Sequence, residues 1–262
     1  MANGRPIAFV DTSPARHLAL SIIRDHDLDL DETKPYLEIL TLTYVTKEVN
    51  GKQISSYPVG TPILAVPFYL AGMAMGLSPD QYDGLAKLEK WAAANIGAVL
   101  SVLFWILLQR RTHARLAVRV LLWLAFVFGS SNWIVNSQGL WQHSPLQIFE
   151  ILALLALPLS SDARGKYWRI AASGLLLGLA GFMRPTGYIL IPVWGLYLLW
   201  QNWRYAFPFA VGVALGGLPQ ITYNLAYIPR GDGGYFDLIF NNDYFKHLRP
   251  IHNFFALIIS PS

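Results

Sequence analysis

Past Pro58 the chain alternates long apolar runs with short polar joints. The runs are Val59–Leu77, Trp91–Gln109, Ala117–Val135, Pro145–Ser160, Trp168–Met183, Gly187–Gln201 and Tyr205–Thr222. A helix that crosses a bilayer needs ~20 apolar residues, with a range of ~17–25. Several runs are slightly shorter, which suits tilted or broken helices packed in a bundle. The expected fold class is all-α integral membrane: a multi-pass helical bundle with a small extracytoplasmic first-loop elaboration.

That elaboration is the polar head, residues 1–58. Ala15–Arg24 sets Leu18, Ile22 and Ile23 on one side at helical spacing, which predicts a short amphipathic helix. Asp25–Asp31 alternates charge with Leu28 and Leu30 and reads as extended. Thr43–Val49 and Lys52–Tyr57 flank Asn50-Gly51, the pair that supplies the positive φ of a type I′ turn, so a β-hairpin is expected. The expected division is 1–58 as first outer loop, 59–90 as juxtamembrane or re-entrant helix and connector, and 91–222 as transmembrane helices. Residues 223–250 form a further outer loop, and 251–262 begin another helix.

Composition agrees with a membrane body. The chain has 262 residues, 54% hydrophobic and 14% charged, with a mean hydropathy of +0.37; soluble domains carry about 25% charged residues. There is no Cys, which removes thiolate metal sites and thiol catalysis. The net charge of +4 is spread between apolar runs rather than gathered in a nucleic-acid stripe. The head holds 8 of the 16 acids and only 6 of the 20 Lys and Arg.

The joints orient the helices. Arg110, Arg111, Arg115 and Arg119 cluster in one joint, Arg164, Lys166 and Arg169 in a second, and Arg204 marks a third. The positive-inside rule makes these cytoplasmic, and makes Asn136–Ser144 and the turn near Arg184 external. Val59–Leu77 then begins and ends outside, as a re-entrant helix with Pro58, Pro62 and Pro67 would. An outer head needs a spanning helix ahead of it, so the chain is expected to be a fragment of a longer protein. The expected location is the plasma (bacterial inner) membrane, with the active face extracytoplasmic.

With this orientation the polar residues gather on the outer side: Asp11, Arg16, His17, Lys52, Tyr57, Gln138, Trp141, Gln142, His143, Arg184 and the loop Tyr223–Pro250. Such one-sidedness suits a lipid-linked substrate whose tail stays in the bilayer. Phe9-Val10-Asp11-Thr12, Pro14-Ala15-Arg16 and Asp27-Leu28-Asp29-Leu30-Asp31 resemble the first outer loop of the GT-C glycosyltransferases. That class includes the protein mannosyltransferase and aminoarabinose transferase relatives, broadly glycosyltransferase family 39. The resemblance continues in Ser55-Ser56-Tyr57-Pro58-Val59-Gly60, Leu140-Trp141-Gln142-His143, Met183-Arg184-Pro185-Thr186 and Ile259-Ser260-Pro261-Ser262. Where many members have Lys-Pro-Pro, this chain has Tyr57-Pro58-Val59, and where many have Asp-Glu, Asp11 is followed by Thr12.

The resemblance implies a polyprenyl-phosphate sugar donor, a lipid, glycan or protein acceptor, and Asp11 as catalytic base. The substrate-binding candidates are Arg16, Tyr57, Trp141, Gln142, His143 and Arg184. A carboxylate can take the acceptor proton, and a guanidinium fork matches a leaving phosphate. Each residue also has a plainer reading: Asp11 as a helix cap, Arg184 as an interfacial snorkelling cation, His143 as a cap ahead of Pro145. Glu150 sits inside an apolar run, where a charge is costly and often functional. No cofactor is certain: Asp25, Asp27, Asp29 and Asp31 either ligate a divalent cation through oxygen or form a solvated acidic edge. Arg230-Gly231-Asp232-Gly233-Gly234 lacks the Lys-Ser/Thr of a P-loop and reads as an outer loop near the acceptor, with His247 and His252 structural. Competing functions are a transporter or flippase of a lipid-linked substrate, which would hold polar groups near the midplane, and a non-catalytic membrane assembly protein.

Overall fold

The architecture is taken from a computed structural model that describes residues 9–33, 45–81, 83–158 and 165–228. The expectations for Arg164, for the loop from Arg230 onward, for His247 and His252, and for 251–262 lie outside the described residues. Most of the chain is helical. In order, the elements are α1 (Ser13–Arg24), β1 (Thr46–Val49), β2 (Lys52–Ser55), α2 (Gly60–Ala74), α3 (Gly84–Arg111) and α4 (Leu116–Phe128). Then follow α5 (His143–Ala156), α6 (Lys166–Met183), α7 (Leu190–Gln201) and α8 (Ala206–Tyr227). Short 3-10 turns at Asp31–Thr33, Pro185–Ile189 and Trp203–Tyr205, and a π turn at Asn132–Asn136, link them.

Among the described residues, two helical stretches are long and apolar enough to cross a membrane, Gly84–Arg111 and Trp203–Tyr227. Gly60–Ala74, Leu116–Phe128 and His143–Ala156 are apolar but shorter. Every expected apolar run contains a helix. Two ends shift by seven residues: α4 stops at Phe128 rather than Val135, and α3 starts at Gly84 rather than Trp91, because Glu89 and Lys90 are buried inside the fold instead of ending the helix in solvent.

The hairpin forms around Asn50 and Gly51, with φ of 52° and 82°, and pairs Val49 with Lys52 and Thr46 with Ser55. Asp25–Asp31, expected as extended, forms no strand, and Asp31 opens a 3-10 turn. His26 takes a φ of 61° and its N–H returns to the Ser21 carbonyl at 3.1 Å, so the segment closes α1 with a left-handed C-terminal turn. The Ser21 hydroxyl then donates to Asp27 Oδ1 at 2.9 Å, and the Leu30 N–H reaches the Gln53 carbonyl at 2.7 Å. These bonds fasten the segment to the hairpin.

The core runs across the change in composition at Pro58. Ala15 and Ala19 of α1 pack with Ala65 and Tyr69 of α2, Leu88, Ala92 and Ile96 of α3, Leu140, and Ile148 of α5. A second cluster joins Leu18, Leu30 and Val59 to Phe182, Met183 and Tyr223. The closest helix pair is α6 with α8, which meet backbone to backbone at Gly174, Gly178, Gly212 and Gly216. A Cβ at Gly178 would lie 2.6 Å from the Val213 carbonyl oxygen and 2.8 Å from Gly216 Cα. This is small-xxx-small packing from both helices.

The bundle has two distinct ends. At one, Arg111 Nη2 donates to the carbonyls of Leu154, of Leu155 at 3.1 Å and of Leu157 at 2.7 Å. Arg169 Nε donates to Ala156 O at 3.0 Å. Two cations from α3 and α6 therefore satisfy the orphan carbonyls and negative dipole end of α5. At the other end α3 begins beside Leu140, and α6 finishes at Arg184.

Candidate functional site

An open cleft lies at the end away from Arg111 and Arg169, with about 490 Å³ of empty space including its mouth. Four segments far apart in sequence form its three walls. The first is the approach to α1, with Asp11, Thr12 and Ala15. Tyr57 follows β2, and its N–H and carbonyl are both tied to the Ser55 hydroxyl at 3.0 Å. The Tyr57 hydroxyl donates to Asp11 Oδ1 at 3.4 Å. Asp11 is exposed. The N-cap position belongs to Thr12, and no side chain caps α1 there.

The second wall is the loop into α5. The π turn returns the Ser137 and Gln138 N–H groups to Asn132 O at 3.1 Å and Val135 O at 3.0 Å. The Leu140 N–H donates to Glu89 Oε1 at 3.1 Å. These bonds aim Trp141, Gln142 and His143 into the cleft. Trp141 meets Phe9 edge to face, with centroids 5.5 Å apart, and its indole N–H is buried with no hydrogen-bond partner.

Arg184 forms the third wall. It follows α6 with extended backbone (φ −157°, ψ 128°), and its carbonyl accepts the Gly187 N–H at 2.9 Å. Its Nη1 lies 2.5 Å from His143 Nδ1 and 2.7 Å from Nε2. A guanidinium can only donate, so the imidazole must present a lone pair and is neutral in this contact. Arg184 Nε is buried and makes no hydrogen bond.

Six of the sequence-derived candidates thus line one cleft: Asp11, Tyr57, Trp141, Gln142, His143 and Arg184. Arg16 does not. It is 5% exposed, its Nε faces Glu89 Oε2 at 3.2 Å, and its Nη2 donates to Phe9 O at 3.2 Å. Its charge is spent inside the fold rather than at the cleft. Lys52 is held by Asp29 Oδ2 at 2.5 Å, and Gln138 bonds the Ser137 hydroxyl at 2.8 Å; neither lines the cleft. Burial, reinforced by the Arg16 charge, pushes the His17 imidazole down to about 4. Glu150 is half-buried along α5.

The acidic stretch of the head narrows to Asp27, Asp29 and Glu32, whose oxygens lie within 4.8 Å of one another. Asp29 is already neutralised by Lys52, and Asp31 Oδ1 instead accepts the Gln53 N–H at 2.5 Å. Glu89 is the residue that sequence reasoning overlooked. Leu85, Leu88, Ala92 and Ile96 continue the α3 stripe at helical spacing, and Glu89 falls among them on the buried side. An acid on the apolar stripe was the available signal.

Chemically, the cleft sets an exposed carboxylate beside a phenol, with a guanidinium, a neutral imidazole and an unpartnered indole N–H across from it. That set can accept a proton on one side and hold an anion on the other. No protein family model matches the chain, and no curated protein or solved structure shows significant similarity to it.

Proposed function

We propose that the chain is a multi-pass membrane glycosyltransferase of GT-C type. It moves a sugar from a polyprenyl-phosphate donor to an acceptor hydroxyl on the extracytoplasmic face of the bacterial inner membrane. The observation that carries this reading is the convergence of Asp11, His143 and Arg184 on one cleft, at the end of the bundle away from the basic joints.

Three further features support a membrane setting. From Glu89 to Arg111 the axis of α3 advances about 33 Å at 1.5 Å per residue, close to the ~30 Å of a hydrocarbon core. Large apolar side chains stay exposed along α4 and α8, among them Leu121 at 65%, Phe207 at 78% and Leu225 at 75%. An apolar surface of that extent marks contact with lipid or protein rather than water. Trp168, Trp200 and Trp203 are exposed beside Lys166 and Arg204, the composition of a membrane interface belt.

In the reaction the acceptor oxygen bonds to the anomeric carbon as the bond from that carbon to the phosphate oxygen breaks. The electron pair leaves with the phosphate. Asp11 takes the acceptor proton, which general-base help makes ~10²–10⁴-fold faster, and Tyr57 orients the carboxylate. Arg184 meets the charge that develops on the phosphate, with the Trp141 N–H as a further donor.

The test is transfer by the full-length protein in vesicles supplied with polyprenyl-phosphate sugars. Asp11→Asn should abolish transfer while donor binding persists. Full transfer by Asp11→Asn, or no binding of polyprenyl phosphate by the unsubstituted protein, would overturn the proposal.

A further inference from the structure

Beneath the Phe9–Trp141 ring contact, the two facing walls of the cleft meet at one buried carboxylate. Glu89 is fully buried. Its Oε1 accepts the Leu140 N–H at 3.1 Å, its Oε2 faces Arg16 Nε at 3.2 Å, and the Thr12 hydroxyl lies beside the same carboxylate while donating to Phe9 O at 3.4 Å. Thr12 adjoins Asp11, and Leu140 adjoins Trp141. The approach is close: a Cβ at Gly139 would lie 3.0 Å from the Phe9 ring, 3.2 Å from Glu89 Oε1 and 3.3 Å from Thr12 Oγ1.

Stability alone does not explain a charge there. Replacing a buried ion pair by apolar side chains of similar volume is often neutral or stabilising. What an apolar pair lacks is direction. A carboxylate has about four lone-pair positions; here it accepts the Leu140 N–H and faces the Arg16 guanidinium, groups from two separate segments.

We infer that Glu89 is the positioning residue of the cleft: its buried carboxylate sets the separation between Asp11 and the Trp141–His143 wall. The inference rests on the site reading above, but its test needs no substrate. The chain has no Cys, so Val10→Cys and Gln142→Cys can carry a pair of nitroxide labels, one on each wall. Val10 is 42% exposed and accepts a label without disturbing the core.

In the otherwise unsubstituted protein the labels should show one narrow dipolar broadening. Glu89→Gln keeps an acceptor for Leu140 but turns an amide toward Arg16, and should lose the narrow component. The double variant Arg16→Met with Glu89→Met removes both charges. It should recover thermal stability and still lack the narrow component, which a purely structural role would restore. Ile170→Ala truncates the core about 20 Å along α6 from Arg184; it should lower stability and leave the broadening unchanged.

An unchanged narrow component in Glu89→Gln or in the double Met variant overturns the inference, as does its loss in Ile170→Ala. If Glu89→Gln fails to fold, the double variant decides alone. Failure to bind polyprenyl phosphate would instead strike the proposed function and leave the wall tie intact.

Discussion

Arg184 Nη1 meets the edge of the His143 ring, 2.5 Å from Nδ1 and 2.7 Å from Nε2, although the two residues are 41 positions apart. This contact joins the end of α6 to the start of α5. It also keeps a cation and a neutral ring together at the cleft, so the positive charge stays available to an anion.

Arg184→Lys keeps the charge and removes the fork. Hydrogen bonds to charged groups contribute ~1.5–3 kcal/mol, so losing one should weaken polyprenyl phosphate binding about 10–100-fold. The measurement is equilibrium binding of polyprenyl phosphate to the purified protein in detergent. Equal affinity in the lysine variant would mean that charge alone suffices.

His17 makes folding depend on pH. Its folded value is pushed down to about 4, first by burial and then by Arg16, against about 6.5 in an unfolded chain. Between these values the unfolded state binds a proton that the folded state refuses. The contribution is therefore complete above about 6.5 and is lost as the pH falls toward 4. Its upper limit is about 3 kcal/mol before solvent screening at this half-buried site. Unfolding measured from pH 7 to pH 4 should show this decline, and His17→Gln should flatten it. An equal decline in His17→Gln would assign the pH dependence to other groups.

The glycines of α8 divide by their surroundings. A Cβ at Gly212 would overlap the Ala171 carbonyl oxygen of α6, whereas one at Gly217 meets nothing within 4 Å. Gly212→Ala should destabilise by about 1–3 kcal/mol through overpacking. Gly217→Ala should be neutral or stabilise by up to about 1 kcal/mol through helix propensity. Thermal unfolding of both variants checks the pair, and a neutral Gly212→Ala would refute the close α6–α8 approach.

The helices were legible because an apolar run is a local signal. Each of the seven runs contains a helix, and Asn50-Gly51 makes the turn its backbone preference demands. The glycine spacing was legible too: Gly174 to Gly178 and Gly212 to Gly216 each leave three residues between, a small-xxx-small signature that went unread. Asp25–Asp31 misled because alternation on so short a segment yields to the hydrogen bonds that close α1. Arg16 misled for a different reason. Its partner is Glu89, and no local pattern says which acid a distant arginine will meet.

Amino-acid order alone determined a mostly helical body with a polar head, a helix within each apolar run, and the identities of the carboxylate, imidazole and guanidinium candidates. Only tertiary structure decided that Asp11, Tyr57, His143 and Arg184 share a cleft while Arg16 is withdrawn into the core. Periodicity tells which residues share a face of one helix, since that depends on neighbours in the chain. Distances between α1, the loop before α5 and the end of α6 depend instead on how closely helices approach, and here glycine contacts and one buried carboxylate govern that approach.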